Sequence, residues 1–265
     1  MLACLSAGAG ADASQPLVSI KPLALIYSEL RPGQQADVLI PANRNLHDYA
    51  LTVEDLKKLQ QAETLFWLGV ENEPFIARLQ KRFADHRWVA VAGGDHPWLS
   101  PAQLPGLIGK MAEALAQQHP QEATAIGERA VQLQQAIASR FHYWQQQLVA
   151  YQHQPFLLGH SAFIAFAEGL GLHGAILYRS GHSHGHSHGG MQELVDIQQR
   201  VASGEIYCAL EEPDVDFHEL TERHPTLQLG FVEPMATQQS AGPGAFLAFI
   251  DQTAQAFQAC LNKSK

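Results

Sequence analysis

One stretch limits the architecture more than any other: across residues 121–150 the chain has no proline and a single glycine, Gly127. Apolar side chains fall there at Ile126, Ala130, Leu133, Ile137, Phe141, Trp144 and Leu148, at spacings of four, three, four, four, three and four. That rhythm draws one apolar stripe down an α-helix. Thirty helical residues reach about 45 Å, longer than a single lobe needs. The expectation is a rigid strut, over 119–150, between an N-terminal lobe at 14–118 and a C-terminal lobe at 151–265.

On either side of the strut, short apolar runs alternate with helical patterns, which argues for an α/β fold with a mainly parallel sheet flanked by helices in each lobe. Strands are expected at 17–20, 37–40, 64–68, 88–91, 155–159, 175–178, 205–210 and 226–232. Thr52 and Asp55 have the spacing of a capping box, with Leu56 and Leu59 continuing a helix behind them.

The charge balance removes one class of partner. With 17 Lys and Arg against 26 Asp and Glu, the net charge is -9 and the cations are scattered, which leaves no basic face for nucleic acid. No apolar run approaches the roughly 20 residues a membrane-spanning helix needs. Residues 1–13, MLACLSAGAGADA, are small and apolar and end in Ala11-Asp12-Ala13, the form of a signal-peptidase site. They read as the remnant of an export signal, with lipid attachment at Cys4 left open. Outside that segment only Cys208 and Cys260 remain: a disulfide in an oxidising compartment, or two buried thiols.

Fourteen histidines are present, and their places say more than their number. His47, His96 and His160 each follow an expected strand, as does Glu233. In open α/β sheets, ligands bind beyond the carboxyl ends of the strands, so these four leave the sheets at the edge where a site belongs, two from each lobe. Three neutral imidazoles and a carboxylate suit tetrahedral Zn²⁺, whereas a harder ion such as Mn²⁺ favours more oxygen ligands. His86, His119, His142, His153, His173, His218 and His224 show no shared pattern and read as solvated surface residues.

Several segments resemble a known family. Pro41-Ala-Asn-Arg-Asn-Leu-His47-Asp-Tyr-Ala-Leu-Thr-Val-Glu-Asp55, Asp95-His96-Pro-Trp-Leu-Ser-Pro101, Gly159-His160-Ser-Ala-Phe163, Glu212-Pro213 and Phe231-Val-Glu233-Pro-Met235 are similar, in order, to the signatures of the metal-binding receptors of zinc and manganese ABC importers. The resemblance implies two α/β lobes joined by one long helix. It also implies zinc ligands at His47, His96 and His160, with Glu233 either a fourth ligand or a partner that orients a histidine. Manganese members tend to carry a carboxylate at the His160 position, so the zinc type is favoured; some of that type pair cysteines as Cys208 and Cys260 would. The implied function is periplasmic capture of Zn²⁺ and its delivery, by a monomer, to the membrane permease of an ABC importer. The alternative is a zinc metallochaperone or a metal-dependent adhesion protein.

Two departures stand out. Thr52-Val53-Glu54 replaces the serine or proline usual before the capping Asp55. The histidine-rich run is also displaced: zinc members carry it between the first and second ligands, whereas here His182, His184, His186 and His188 alternate with Gly and Ser after the third. In an extended strand those four rings face one side. They read as a low-affinity antenna or lid, or as a flexible linker with incidental metal binding. A zinc hydrolase is the rival class, but the helical H-E-x-x-H of such enzymes does not occur, and a saturated zinc activates no water.

Overall fold

The computed structural model describes residues 16–46, 49–178 and 191–262. Residues 1–13 with Cys4, the ligand candidate His47, and His182, His184, His186 and His188 lie outside them. Strands β1 (Leu17–Val18), β2 (Asp37–Val38), β3 (Thr64–Trp67) and β4 (Arg87–Ala90) form one sheet in the order β2-β1-β3-β4. Strands β5 (Phe156–Leu158), β6 (Ala175–Leu177), β7 (Cys208–Glu211) and β8 (Gln228–Phe231) form a second in the order β6-β5-β7-β8. Every pairing in both is parallel, and all eight expected strands are present.

Helices α1 (Lys21–Leu30), α2 (Val53–Gln61), α3 (Pro74–Gln80) and α4 (Leu104–Gln118) accompany the first sheet, and α5 (Ala123–Leu148) leads to the second. There follow α6 (Ile164–Gly169), α7 (Met191–Ala202), α8 (His218–Arg223) and α9 (Ala245–Leu261). The strands are shorter than expected, with local causes. Residues 205–207, for example, belong to the exit from α7: Gly204 turns at φ 75°, and the amides of Glu205 and Ile206 bond back to Arg200 O.

Helix α5 buries Ile126, Ala130, Leu133, Ile137, Phe141, Trp144 and Leu148, the stripe read from the sequence. Asp251 of α9 fastens it, accepting from Arg140 Nη1 at 2.6 Å and from Trp144 Nε1 at 2.8 Å. One apolar cluster runs through both sheets, from Leu17 to Leu261, and a smaller one, around Ile197, Phe217 and Leu220, lies under α7 and α8. The two sheets thus share a core, which opposes hinge motion between them. The open choice at the cysteines resolves to a disulfide: Cys208 of β7 is bonded to Cys260 of α9, with Cα atoms 5.4 Å apart.

The shared strand order fixes where a ligand can sit. In each sheet the chain reverses its direction of winding between the two middle strands, β1 and β3 in the first and β5 and β7 in the second. The loops leaving such a pair diverge and open a crevice at the carboxyl edge.

Candidate metal centre

His96 follows β4 at the head of a one-turn helix, Pro97–Leu99, in the left-handed conformation with φ 43° and ψ 55°. A non-glycine residue held there costs on the order of 1 kcal/mol and needs firm surroundings. They are present: Leu99 N–H donates to His96 O at 2.9 Å, the His96 ring packs 5.1 Å from that of Trp98, and Trp98 Nε1–H donates to Pro234 O at 2.7 Å. The Trp98 bond crosses from one lobe to the other. His96 is buried, and its Nδ1 lies 2.6 Å from Asp95 Oδ1.

His160 comes from the other lobe, two residues beyond the end of β5. Its Nδ1 accepts the Ala162 N–H at 3.2 Å and so caps the short turn Ser161–Phe163. Its ring stands 4.9 Å from that of His96, nearly perpendicular at 83°. Asp95 ties the two loops together, because its second oxygen accepts from Ser161 Oγ at 3.3 Å. Two of the three expected imidazoles therefore meet across the lobes. Among the described residues no three His, Cys, Asp or Glu side chains converge to hold a metal, and the third expected imidazole, His47, is outside those residues.

The described residues on either side of His47 are held by side-chain bonds. Before it, Asn45 Nδ2 donates to Asp214 Oδ2 of the other lobe at 3.0 Å. After it, the Tyr49 hydroxyl donates to Asp55 Oδ2 at 2.6 Å, and Thr52 and Asp55 close the expected capping box on α2. Burial, then the Asp55 carboxylate, push the Tyr49 phenol up to about 12.

Three carboxylates, Glu212, Asp214 and Glu233, line the same cavity, whose volume is about 140 Å³ and whose walls also include Asn45, His96, Trp98 and His160. They differ in what holds them. Glu233 is committed to its own loop: Oε1 accepts from Met235 N at 2.6 Å, and Oε2 from Thr237 N at 2.6 Å and Thr237 Oγ1 at 3.0 Å. Lys21 joins this knot by donating to Thr237 O at 2.7 Å, and burial holds its ammonium below the usual range against the pull of Glu233. Glu212 is 8% exposed, and among the described residues its Oε1 has no hydrogen-bond partner. Burial pushes its carboxyl up to about 8, while the peptide N–H of His160 draws it back.

Glu212 and Asp95 are the residues that sequence reasoning passed over as functional. Glu212 had a signal in its register, standing two residues past Leu210 as His160 stands two past its partner Leu158. The remaining histidines are less uniform than the sequence suggests. His119 Nε2 lies 2.8 Å from Arg31 Nη1, and the rings of His153 and His173 lie 6.2 Å apart. One string with the form of an enzyme motif carries no such chemistry in context. Gly169-Leu-Gly-Leu-His-Gly174 spells G-x-G-x-x-G but runs from α6 into β6, the reverse of the strand-to-helix order a dinucleotide needs, and Gly171 at φ 75° is a helix terminator. Gly181-His-Ser-His-Gly185 spells G-x-S-x-G within the histidine-rich run, outside the described residues.

Residues 17–260 match the family described as ZnuA, zinc-uptake complex component A, periplasmic. The chain belongs to this family. ZnuA proteins are solute-binding proteins of ABC importers, not enzymes. The high-affinity zinc uptake system protein ZnuA of Haemophilus ducreyi is 23% identical over 291 residues, covering 93% of each chain. A zinc-bound ZnuA deletion mutant superposes with a TM-score of 0.78 at 18% identity, over 96% of this chain and 100% of that one. The laminin-binding adhesin Lmb of Streptococcus agalactiae, in a mutant structure, gives 0.76 at 14% identity, over 94% and 100%. The ZnuA fold is thus common to zinc-uptake receptors and to an adhesin, and the chemistry must be argued from the site.

Proposed function

We propose that this chain is the periplasmic receptor of a zinc importer, holding one Zn²⁺ between its lobes and passing it to an ABC permease. The observation that carries the reading is the perpendicular approach, at 4.9 Å, of His96 and His160 from opposite lobes. Two imidazoles so placed, with His47 on the loop that Asn45 and Tyr49 flank, supply the nitrogen donors that zinc takes at about 2.0–2.1 Å. The ion is cargo, so a site closed on all sides suits it better than one with an open position for water. Glu233, bound to its own loop, fits the role of a support for the cavity wall better than that of a ligand.

Capture falls to side chains and loops rather than to lobe closure. Bonds from Trp98 to Pro234, Lys21 to Thr237, Ser161 to Asp95 and Asn45 to Asp214 already join the lobes around the cavity. The histidine-rich run, four rings alternating with Gly and Ser, serves in this reading as a weaker collector beside the cleft.

Zinc titration of the purified chain against a competing chelator tests the reading. One tight equivalent is expected, weakened at least a hundredfold by His96→Ala or by His160→Ala, and a strain lacking the chain should grow poorly under chelation until zinc is restored. Tight binding that survives both substitutions would overturn it.

A further inference from the structure

As it stands, the His160 ring has no nitrogen to give a cation. Its Nδ1 accepts the Ala162 N–H, and a neutral imidazole has one ring nitrogen with a free lone pair, so the proton sits on Nε2. To ligate through Nε2, the ring must release Ala162 and move that proton to Nδ1. An Nδ1–H in a buried cavity then needs an acceptor.

We infer that Glu212 is that acceptor, a positioning residue that receives the His160 Nδ1–H on Oε1 while Nε2 holds the cation. The inference rests on His160 as a zinc ligand. Four observations carry it. Strands β5 and β7 pair in parallel with Leu158 beside Leu210, so His160 and Glu212, each two residues further on, leave the sheet side by side. The His160 peptide N–H already supports the Glu212 carboxylate, so the two residues are in contact through the backbone. Oε1 is buried and, among the described residues, without a partner, in the cavity that the ring also lines. Of the other carboxylates there, Glu233 has both oxygens engaged by Met235 and Thr237, and Asp214 accepts from Asn45 Nδ2 on Oδ2.

A buried carboxylate oxygen left without a donor is costly, and such an atom in a native fold calls for a second state that satisfies it. Within the ring, Nε2 loses the proton that Nδ1 gains, and the cation takes the Nε2 lone pair. Carboxylate, imidazole and metal in line fix the tautomer and the ring orientation and make the nitrogen a better donor.

Nitrogen-15 NMR of the labelled full chain during zinc titration tests this. Before zinc is added, His160 should show the Nε2–H tautomer and Ala162 a hydrogen-bonded amide. Zinc should switch the ring to Nδ1–H with a far-downfield proton and release the Ala162 amide. In Glu212→Gln that downfield signal should vanish and zinc affinity should fall roughly ten- to a hundredfold. If His160→Ala binds zinc as tightly as the unaltered chain, the zinc-ligand reading fails and this inference with it. If His160→Ala loses tight binding while Glu212→Gln keeps both affinity and the Nδ1–H signal, the inference alone fails. Should Glu212→Gln not fold, the unaltered chain decides: a zinc-bound His160 that keeps its Ala162 bond, or that ligates through Nδ1, overturns it.

Discussion

His96 and His160, drawn from different sheets, stand ring to ring at 4.9 Å and 83°, and Asp95 touches the surroundings of both. Neither histidine occupies an undemanding position. His96 is in left-handed backbone and His160 caps a turn, so each is placed by its loop rather than by its own preferences.

Asp95 should matter to binding far more than to stability. Its side chain is 64% exposed, yet one oxygen lies 2.6 Å from His96 Nδ1 and the other accepts from Ser161. Asp95→Asn should weaken zinc about tenfold or more with little change in melting temperature. Equal affinities by chelator competition would show that the carboxylate does not orient the His96 ring.

The histidine-rich run should be dispensable for the tight site. Deleting residues 181–189 removes all four alternating histidines and none of His47, His96 and His160. Calorimetry should then show one tight zinc retained and only the weaker equivalents lost. Loss of the tight equivalent would place a primary ligand in the run.

Glu73 should make stability fall as pH rises. It is fully buried at the carboxyl edge of the first sheet, accepts Leu68 N–H at 2.7 Å, and lies beside the Ser19 hydroxyl. Burial lifts its carboxyl from 4.5 to about 7, so between those values the folded chain keeps a proton that the unfolded chain releases. The neutral acid's advantage is complete below pH 4.5 and gone above about pH 7, a difference of about 3 kcal/mol. Glu73→Gln keeps an acceptor for Leu68 and does not ionise. Its denaturation free energy, measured against the unaltered chain, should gain that amount across the window. A difference that stays flat with pH would refute the assignment.

The disulfide should contribute strongly to stability. Cys208 and Cys260 are separated by 52 residues, and closing a loop of that length removes about 4 kcal/mol of unfolded-chain entropy. Reduction, or Cys208→Ala with Cys260→Ala, should lower the melting temperature by roughly 10 °C. Because the bond lies on the sheet edge opposite the cavity, zinc affinity in the folded protein should change little. A melting temperature indifferent to reductant would contradict this.

The sequence by itself determined the local elements and their order. The stripe from Ile126 to Leu148, the eight apolar runs and the Thr52–Asp55 box are written at spacings of two to four residues, set by helix and strand geometry; the stripe and the box are kept in the fold, and each run yields a strand, most of them shortened. The sequence also placed His96 and His160 at strand ends, where a ligand should lie. Tertiary structure alone decided what those rings face. That the two sheets share one core, that Asp95 reaches both loops, that Glu233 is bound to Thr237, and that Glu212 emerges beside His160 all depend on strand register and loop path. Such contacts join residues remote along the chain, and no local periodicity encodes them, because burial and hydrogen bonding act on atoms that only folding brings together.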